Sequence, residues 1–251
     1  MTKSEQRNRN AEIALFMKNR VIAPAPWTLD EIAWIQTYAG DGGMGLDTRG
    51  ILFEFYTPHE LVSRMWGLAH KYGFTGGDIL EPSCGIGRFL QYVDPSNSSV
   101  DAYEFSKDND TSFQIAKASY PWANISCDYF ESIFYGGTNK RVGTSKRYDL
   151  VIGNPPYSKF SGYYAANDYE GKIFPGVTYD QYFIWAGVEL LKTGGLLIFI
   201  IPSTFLDNKT NYNSFKEGIA EKADLLDAYR CPMSVFEFTQ TQTDIIVLRK
   251  R

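Results

Sequence analysis

The chain has 251 residues, a formal net charge of −4 and a 44% hydrophobic composition that includes 17 Tyr and 17 Phe. That length suits one α/β domain with a full core and a small extension, and the acidic balance argues against a phosphate binder that uses its whole surface, although net charge does not locate charge. Three cysteines (Cys84, Cys127, Cys231) without CxxC spacing point to reduced cytosolic thiols rather than a disulfide framework or zinc site, two histidines without an HExxH pattern argue against a metal hydrolase, and no segment has transmembrane or signal-peptide form, so a cytoplasmic protein without a metal is expected.

Residues 1–50 read as a helical extension. Residues 1–20 predict a helix with Ile13, Leu15, Phe16 and Met17 near one side, ended by Pro24 and Pro26. Thr28 caps a second helix that runs to about Tyr38, with Asp30 and Glu31 in its positive first turn. The glycine-rich residues 40–45 follow no strand, so they read as a connector rather than a phosphate cradle. In Tyr56-Thr57-Pro58-His59-Glu60, Thr57 is placed as N-cap, Pro58 at the first helical position and Glu60 as partner in a capping box. Leu61, Val62, Met65, Trp66 and Leu68 continue at helical spacing to Tyr72.

Residues 78–90, Asp78-Ile79-Leu80-Glu81-Pro82-Ser83-Cys84-Gly85-Ile86-Gly87-Arg88-Phe89-Leu90, read as strand, acid, Gly-x-Gly turn and helix. Glycines let a backbone turn tightly and come close to a ligand. An acid ending the strand departs from the dinucleotide fingerprint: it repels a pyrophosphate and attracts a cation, which suits a ligand with an ammonium and a sulfonium. Residues 100–105 predict a second strand ending at Glu104, seventeen positions after Gly87, where doubly wound folds place a carboxylate on ribose hydroxyls. A helix over 111–120 and a third strand over 124–130, ending around Asp128 with Tyr129 after it, come next. Three successive strands thus end in Glu81, Glu104 and Asp128.

Residues 136–147 form a polar, basic loop. The apolar run Leu150 to Ile152 then stops at Gly153 and enters Asn154-Pro155-Pro156-Tyr157. Two prolines have no N–H to extend a ladder, and Asn154 is driven out of helical space by the proline after it. The result is a stiff corner at the carboxyl end of a strand, where open α/β sheets bind ligands. Residues 158–178 form a long aromatic loop. A helix over 180–192, closed by Gly194-Gly195, precedes an apolar, β-branched strand over 196–201. A helix over 211–223 and strands over 225–229 and 243–248 complete a doubly wound α/β pattern.

These residues resemble the gamma-class DNA adenine-N6 methyltransferases, which depend on S-adenosylmethionine, over about residues 50–251. Tyr56-Thr57-Pro58 resembles the segment that closes over the methionine part of the cofactor, and Glu81-Pro82-Ser83-Cys84-Gly85-Ile86-Gly87-Arg88-Phe89 the cofactor loop. Glu104 matches the ribose-binding acid with Phe105 after it, and Asp128 the acid on the cofactor adenine with Tyr129 after it. Asn154-Pro155-Pro156-Tyr157 matches the catalytic tetrapeptide, with Asn154 also touching the cofactor side. Phe238, in the run towards the final hairpin, matches the residue that packs on the target base opposite Tyr157. The resemblance implies a Rossmann-like seven-stranded, mostly parallel sheet with an antiparallel last strand. It also implies transfer of a methyl group to N6 of a flipped adenine, with DNA, alone or with a separate specificity subunit, as partner. Family members usually carry a target-recognition domain after the last strand; here Arg251 follows it. Residues 38–43 are similar to the lead-in of methyltransferase modules in phage and plasmid helicase fusions. A methyltransferase of RNA or of a protein glutamine amide, and a catalytically silent DNA- or partner-binding fold, are the alternatives carried by the same tetrapeptide.

Overall fold

The computed structural model describes residues 2–40, 56–105, 111–136, 140–141, 145–157, 159, 168–169, 172–173, 178–207, 212–232 and 241–251. Two helices open the chain, α1 (Lys3–Ile22) and α2 (Leu29–Ile35). Each starts with a reciprocal capping box, Thr2 with Glu5 and Thr28 with Glu31, which satisfies two otherwise orphaned N–H groups. Helix α2 stops three residues short of Tyr38, where the chain turns with the Tyr38 N–H on the Ile35 carbonyl at 3.1 Å. Helix α3 (His59–Lys71) starts one residue later than expected. Pro58 occupies the cap without a side-chain bond, and the Thr57 side chain is buried.

Seven strands form the main sheet: β1 (Gly77–Glu81), β2 (Ser98–Tyr103), β3 (Asn124–Ser126), β4 (Tyr148–Gly153), β5 (Leu191–Pro202), β6 (Ala223–Arg230) and β7 (Thr243–Lys250). Their order is β6-β7-β5-β4-β1-β2-β3, with β7 antiparallel to both neighbours and the remaining pairs parallel. The expected doubly wound sheet with an antiparallel last strand is therefore what forms. Helices α4 (Thr111–Ser119), α5 (Tyr179–Leu190) and α6 (Asn213–Ala220) complete the set. Side chains alternate across the sheet with period two. On β5, Leu196, Ile198 and Ile200 join the core under α3, while Leu197, Phe199 and Ile201 join the core under α5 and α6. Two short ribbons, Tyr135–Gly136 with Lys140–Arg141 and Asp168–Tyr169 with Lys172–Ile173, lie outside this sheet.

Two expectations are corrected. No α-helix follows the glycine turn; a single 3-10 turn, Leu90–Tyr92, ends the segment, since only seven residues separate Gly87 from the helix-breaking Pro95. Gly194-Gly195 does not close α5 either. The chain becomes extended at Leu191, and the glycines sit inside β5, where the register against β4 jumps from Tyr148↔Leu191 to Leu150↔Leu196.

The chain winds outward from β1 through β2 to β3, then returns to place β4 on the other side of β1. Adjacent loops after β1 and β4 diverge there and leave a crevice at the strands' carboxyl ends. Helices α1 and α2 pack against this region. Ile13, Met17, Ile35 and Tyr38 form a cluster with Ile115 of α4 and Ile86 of the glycine turn. The Asn10 side chain ties down the end of the extension, donating to the Gly40 carbonyl at 2.7 Å and accepting from the Ala39 N–H at 3.1 Å.

Candidate active site

The loop after β1 is held open by its neighbours. Gly85 (φ +55°) has a left-handed backbone, and a Cβ there would stand 2.6 Å from Tyr56 Cε1. The Tyr56 ring thus lies directly on the loop. Arg88 fixes it there, donating to the Thr57 carbonyl at 3.0 Å and the Tyr56 carbonyl at 3.4 Å. Gly85→Ala is expected to lower unfolding stability by about 1–2 kcal/mol for the left-handed backbone alone, read as a lower urea midpoint; an unchanged midpoint would show that the loop relaxes freely.

Glu81 closes β1. It is 1% exposed, and neither carboxylate oxygen has a hydrogen-bond partner. Burial, and secondarily the charge of Glu104, pushes its carboxyl well above the usual range. Glu104 follows β2 and is already oriented: the Gly85 N–H donates to Oε2 at 2.7 Å and the Ser112 hydroxyl to Oε1 at 3.2 Å. Asp128 follows β3 and accepts from the Tyr129 N–H at 2.7 Å. The Phe105 and Tyr129 rings, each next to one of these acids, stack with centroids 3.7 Å apart and planes 16° from parallel.

The proline corner abuts this loop. Strand β4 runs beside β1 in the register Ile79↔Leu150 and Leu80↔Val151. The Ser83 hydroxyl donates to the Asn154 main-chain carbonyl at 3.1 Å. A Cβ on Gly153 would lie 3.7 Å from Pro82 Cδ and 3.8 Å from Glu81 Cγ, in ordinary van der Waals contact, so the two loops run side by side. The Tyr157 hydroxyl contacts Asn154 Oδ1 and lies 3.1 Å from the Ile200 carbonyl on β5.

Tyr56, Thr57, Pro58, Glu81, Pro82, Ser83, Gly85, Gly87, Glu104, Phe105, Asp128, Tyr129 and the corner Asn154-Pro155-Pro156-Tyr157 all belong to elements that meet at the carboxyl ends of β1 to β4. Cys84 and Phe89 are different: both side chains enter the core, and the Phe89 carbonyl accepts the Trp66 indole N–H at 3.0 Å. Their part is to anchor the loop. Phe238 lies outside the described residues. Three supporting groups were not singled out from sequence: Arg88, Ser112 and Gln36, whose side chain donates to the Ile86 carbonyl at 3.0 Å. A cation immediately after Gly-x-Gly was the one available signal. Lys146 pairs with Asp101 at 2.6 Å near the amino ends of the strands, away from the crevice. Its charge is not offered to a ligand there.

A buried carboxylate without a partner, a preset second acid and a pair of stacked rings fit a cationic ligand with a ribose and a flat base. The corner beside them presents carbonyl oxygens to a second, planar group.

The family model of the Eco57I restriction-modification methylases matches residues 75–236. The chain is 26% identical over 239 residues to the defense against restriction protein B of Escherichia phage P1, covering 94% of this chain and 10% of that protein. That coverage necessarily takes in most of the helical extension. It is 30% identical over 169 residues to the modification methylase CviBIII of Paramecium bursaria Chlorella virus NC1A, covering 66% of this chain and 41% of that enzyme. The chain thus spans well under half the length of these relatives. In fold it is similar to the methyltransferase subunit of a type I restriction-modification system from Streptococcus thermophilus, with a TM-score of 0.62 and 20% identity over 79% of this chain and 45% of that one.

Proposed function

This chain belongs to the Eco57I restriction-modification methylase family, and from that premise we propose that it methylates the N6 amino group of adenine in DNA with S-adenosylmethionine as donor. The observation that carries the reading is the 3.1 Å bond from Ser83 to the Asn154 carbonyl, which ties the amine-binding corner to the cofactor loop.

An adenine amino group is a poor nucleophile because its lone pair is delocalised into the ring. The Asn154 side-chain oxygen and the Pro155 main-chain carbonyl each accept one N6–H. That favours a pyramidal nitrogen whose lone pair is free to attack. Positive charge grows on the nitrogen during transfer, and two fixed carbonyl dipoles stabilise it without reorganising. No strong base is needed beforehand, because the methylated nitrogen gives up one of its two protons to solvent only after the methyl group has left the sulfur. S-adenosylmethionine, when bound, supplies a methyl group on a positively charged sulfonium. Glu81 balances positive charge on the methionine part. Glu104 would take the ribose hydroxyls, and Asp128 the cofactor's adenine beside the stacked Phe105 and Tyr129 rings. The Tyr157 ring stacks on the flipped target base, with Phe238 on its other side. Stacking of roughly 1–3 kcal/mol per base helps offset the few kcal/mol of extrusion from the duplex.

The test is incubation with S-adenosylmethionine tritiated at its methyl group and, separately, mixed-sequence DNA, RNA and protein. Label in N6-methyladenine of DNA is the expected result. Label in N4-methylcytosine, in RNA or in glutamine side chains overturns the assignment, as does cofactor binding without transfer. Tyr157→Ala is expected to raise KM for DNA roughly tenfold through lost stacking, with cofactor Kd unchanged by titration calorimetry.

A further inference from the structure

Resting on that reading, we propose that the Tyr157 hydroxyl is a positioning group that sets the orientation of the Asn154 carboxamide, so that its oxygen rather than its NH₂ meets the target amine. A carboxamide is two-faced: Oδ1 only accepts, Nδ2 only donates, and a half-turn about the terminal torsion exchanges them. The amine to be methylated presents N–H donors, so only one orientation works. Pro155 and Pro156 have no N–H with which to hold Oδ1 in place. The Ser83 bond fixes the Asn154 backbone and leaves the side-chain torsion as the remaining freedom.

Tyr157 supplies the missing constraint. Its hydroxyl stands against two oxygens, Asn154 Oδ1 and the Ile200 carbonyl. A phenol has one proton to donate, so it can serve only one of them at a time. The paired ladder between β4 and β5 ends at Gly153↔Phe199, and the prolines beyond it cannot donate to β5. Among the described residues beyond that ladder, the Tyr157 hydroxyl is the donor to the Ile200 carbonyl. In the structure the amide oxygen is turned to the hydroxyl. Half a turn of the amide satisfies every group: Tyr157 donates to Ile200, Nδ2 donates to the Tyr157 oxygen, and Oδ1 is released towards the amine. An arriving N–H favours that state, because in the other it would face the amide's own donors. Burial pushes the phenol well above the ordinary tyrosine range, so the proton stays in place.

Tyr157→Phe keeps the ring and removes the hydroxyl. Expected are a cofactor Kd and a DNA KM within about twofold of wild type and a kcat about tenfold lower, the size of one hydrogen bond. An unchanged kcat, or a loss confined to KM, overturns the inference. In an Asn154→Asp background both side-chain ends are oxygens and there is no wrong orientation. There the same Tyr157→Phe change is expected to cost less than about twofold in kcat. A repeated tenfold cost makes the hydroxyl merely structural and overturns the inference. Wild-type protein that binds cofactor but methylates no adenine overturns the function reading and takes this inference with it. Active wild type with a fully active Tyr157→Phe variant overturns only the inference.

Discussion

Asn154→Ala is expected to reduce kcat for methyl transfer by at least ~100-fold, the cost of deleting one preorganised dipole at a charge-developing atom. Cofactor Kd is expected to stay close to wild type. The split follows from the geometry. The Asn154 main chain holds the cofactor loop through Ser83, and that bond uses a carbonyl that alanine retains. The side-chain oxygen is what alanine deletes, and with it one of the two acceptors for the amino group. Pro155 keeps its carbonyl, so binding of the base survives better than its activation. Single-turnover assays with pre-bound cofactor read the chemical step directly. Turnover within a few-fold of wild type would sink the proposed mechanism, whatever the fold.

Glu81→Gln is expected to stabilise the free protein while destroying its affinity for the cofactor. A carboxylate at 1% exposure with two unpartnered oxygens is an uncompensated buried charge. Its pKa in the folded state lies well above the ordinary value of 4.5. The folded protein therefore holds this proton more tightly than the unfolded chain does. Between 4.5 and the raised value, rising pH removes a proton more easily from the unfolded state, so stability falls as pH rises through that window. Glutamine does not titrate, so the variant should not show that fall. Relief of one unsatisfied buried charge is worth about 1–3 kcal/mol, or roughly 2–10 °C in melting temperature for a chain of this size. Cofactor binding moves the other way. Deleting one member of a desolvated charge pair costs at least about 2 kcal/mol, or ~30-fold in Kd. In the wild type, protonation of Glu81 at low pH should likewise weaken binding, and the glutamine variant should lack that dependence. Melting curves with and without S-adenosylmethionine between pH 5 and 8 check both arms. A variant that melts lower at neutral pH, or binds as tightly as wild type, would contradict the role given to Glu81.

Much of the fold is legible in the chain itself. The unbroken apolar run at residues 196–201 reads as a strand buried on both faces, and it lies in β5, inside the sheet between β7 and β4. Thr28 with Glu31 marks a helix start that forms as read. Errors fell where local preference met a tertiary demand. Thr57 has the chemistry of a cap, yet the segment is drawn down onto the glycine turn by Arg88, and the helix starts uncapped beyond it. Gly194-Gly195 has the form of a helix stop, yet α5 and β5 join directly and the glycines absorb a register jump instead. The helical extension was legible as two helices but not as a brace. Its contact with Ile86 depends on an amphipathic side whose partner lies some seventy residues on.

The sequence by itself determined the pieces: a rigid Asn-Pro-Pro-Tyr corner, a glycine turn after an acid, two further acids at strand ends and the alternation that makes a doubly wound sheet. These are properties of backbone torsion and hydrophobic period, fixed within a few residues of each position. Only the tertiary structure decided which pieces touch. Ser83 meets Asn154 across 71 residues, and Tyr157 meets Ile200 across 43. Such pairs exist because β4 inserts beside β1 and β5 beside β4, and strand order is set by the burial of whole faces, not by any local preference. The same packing strips Glu81 of water and of partners at once, and so pushes the carboxyl of an ordinary strand-end acid well above its usual range.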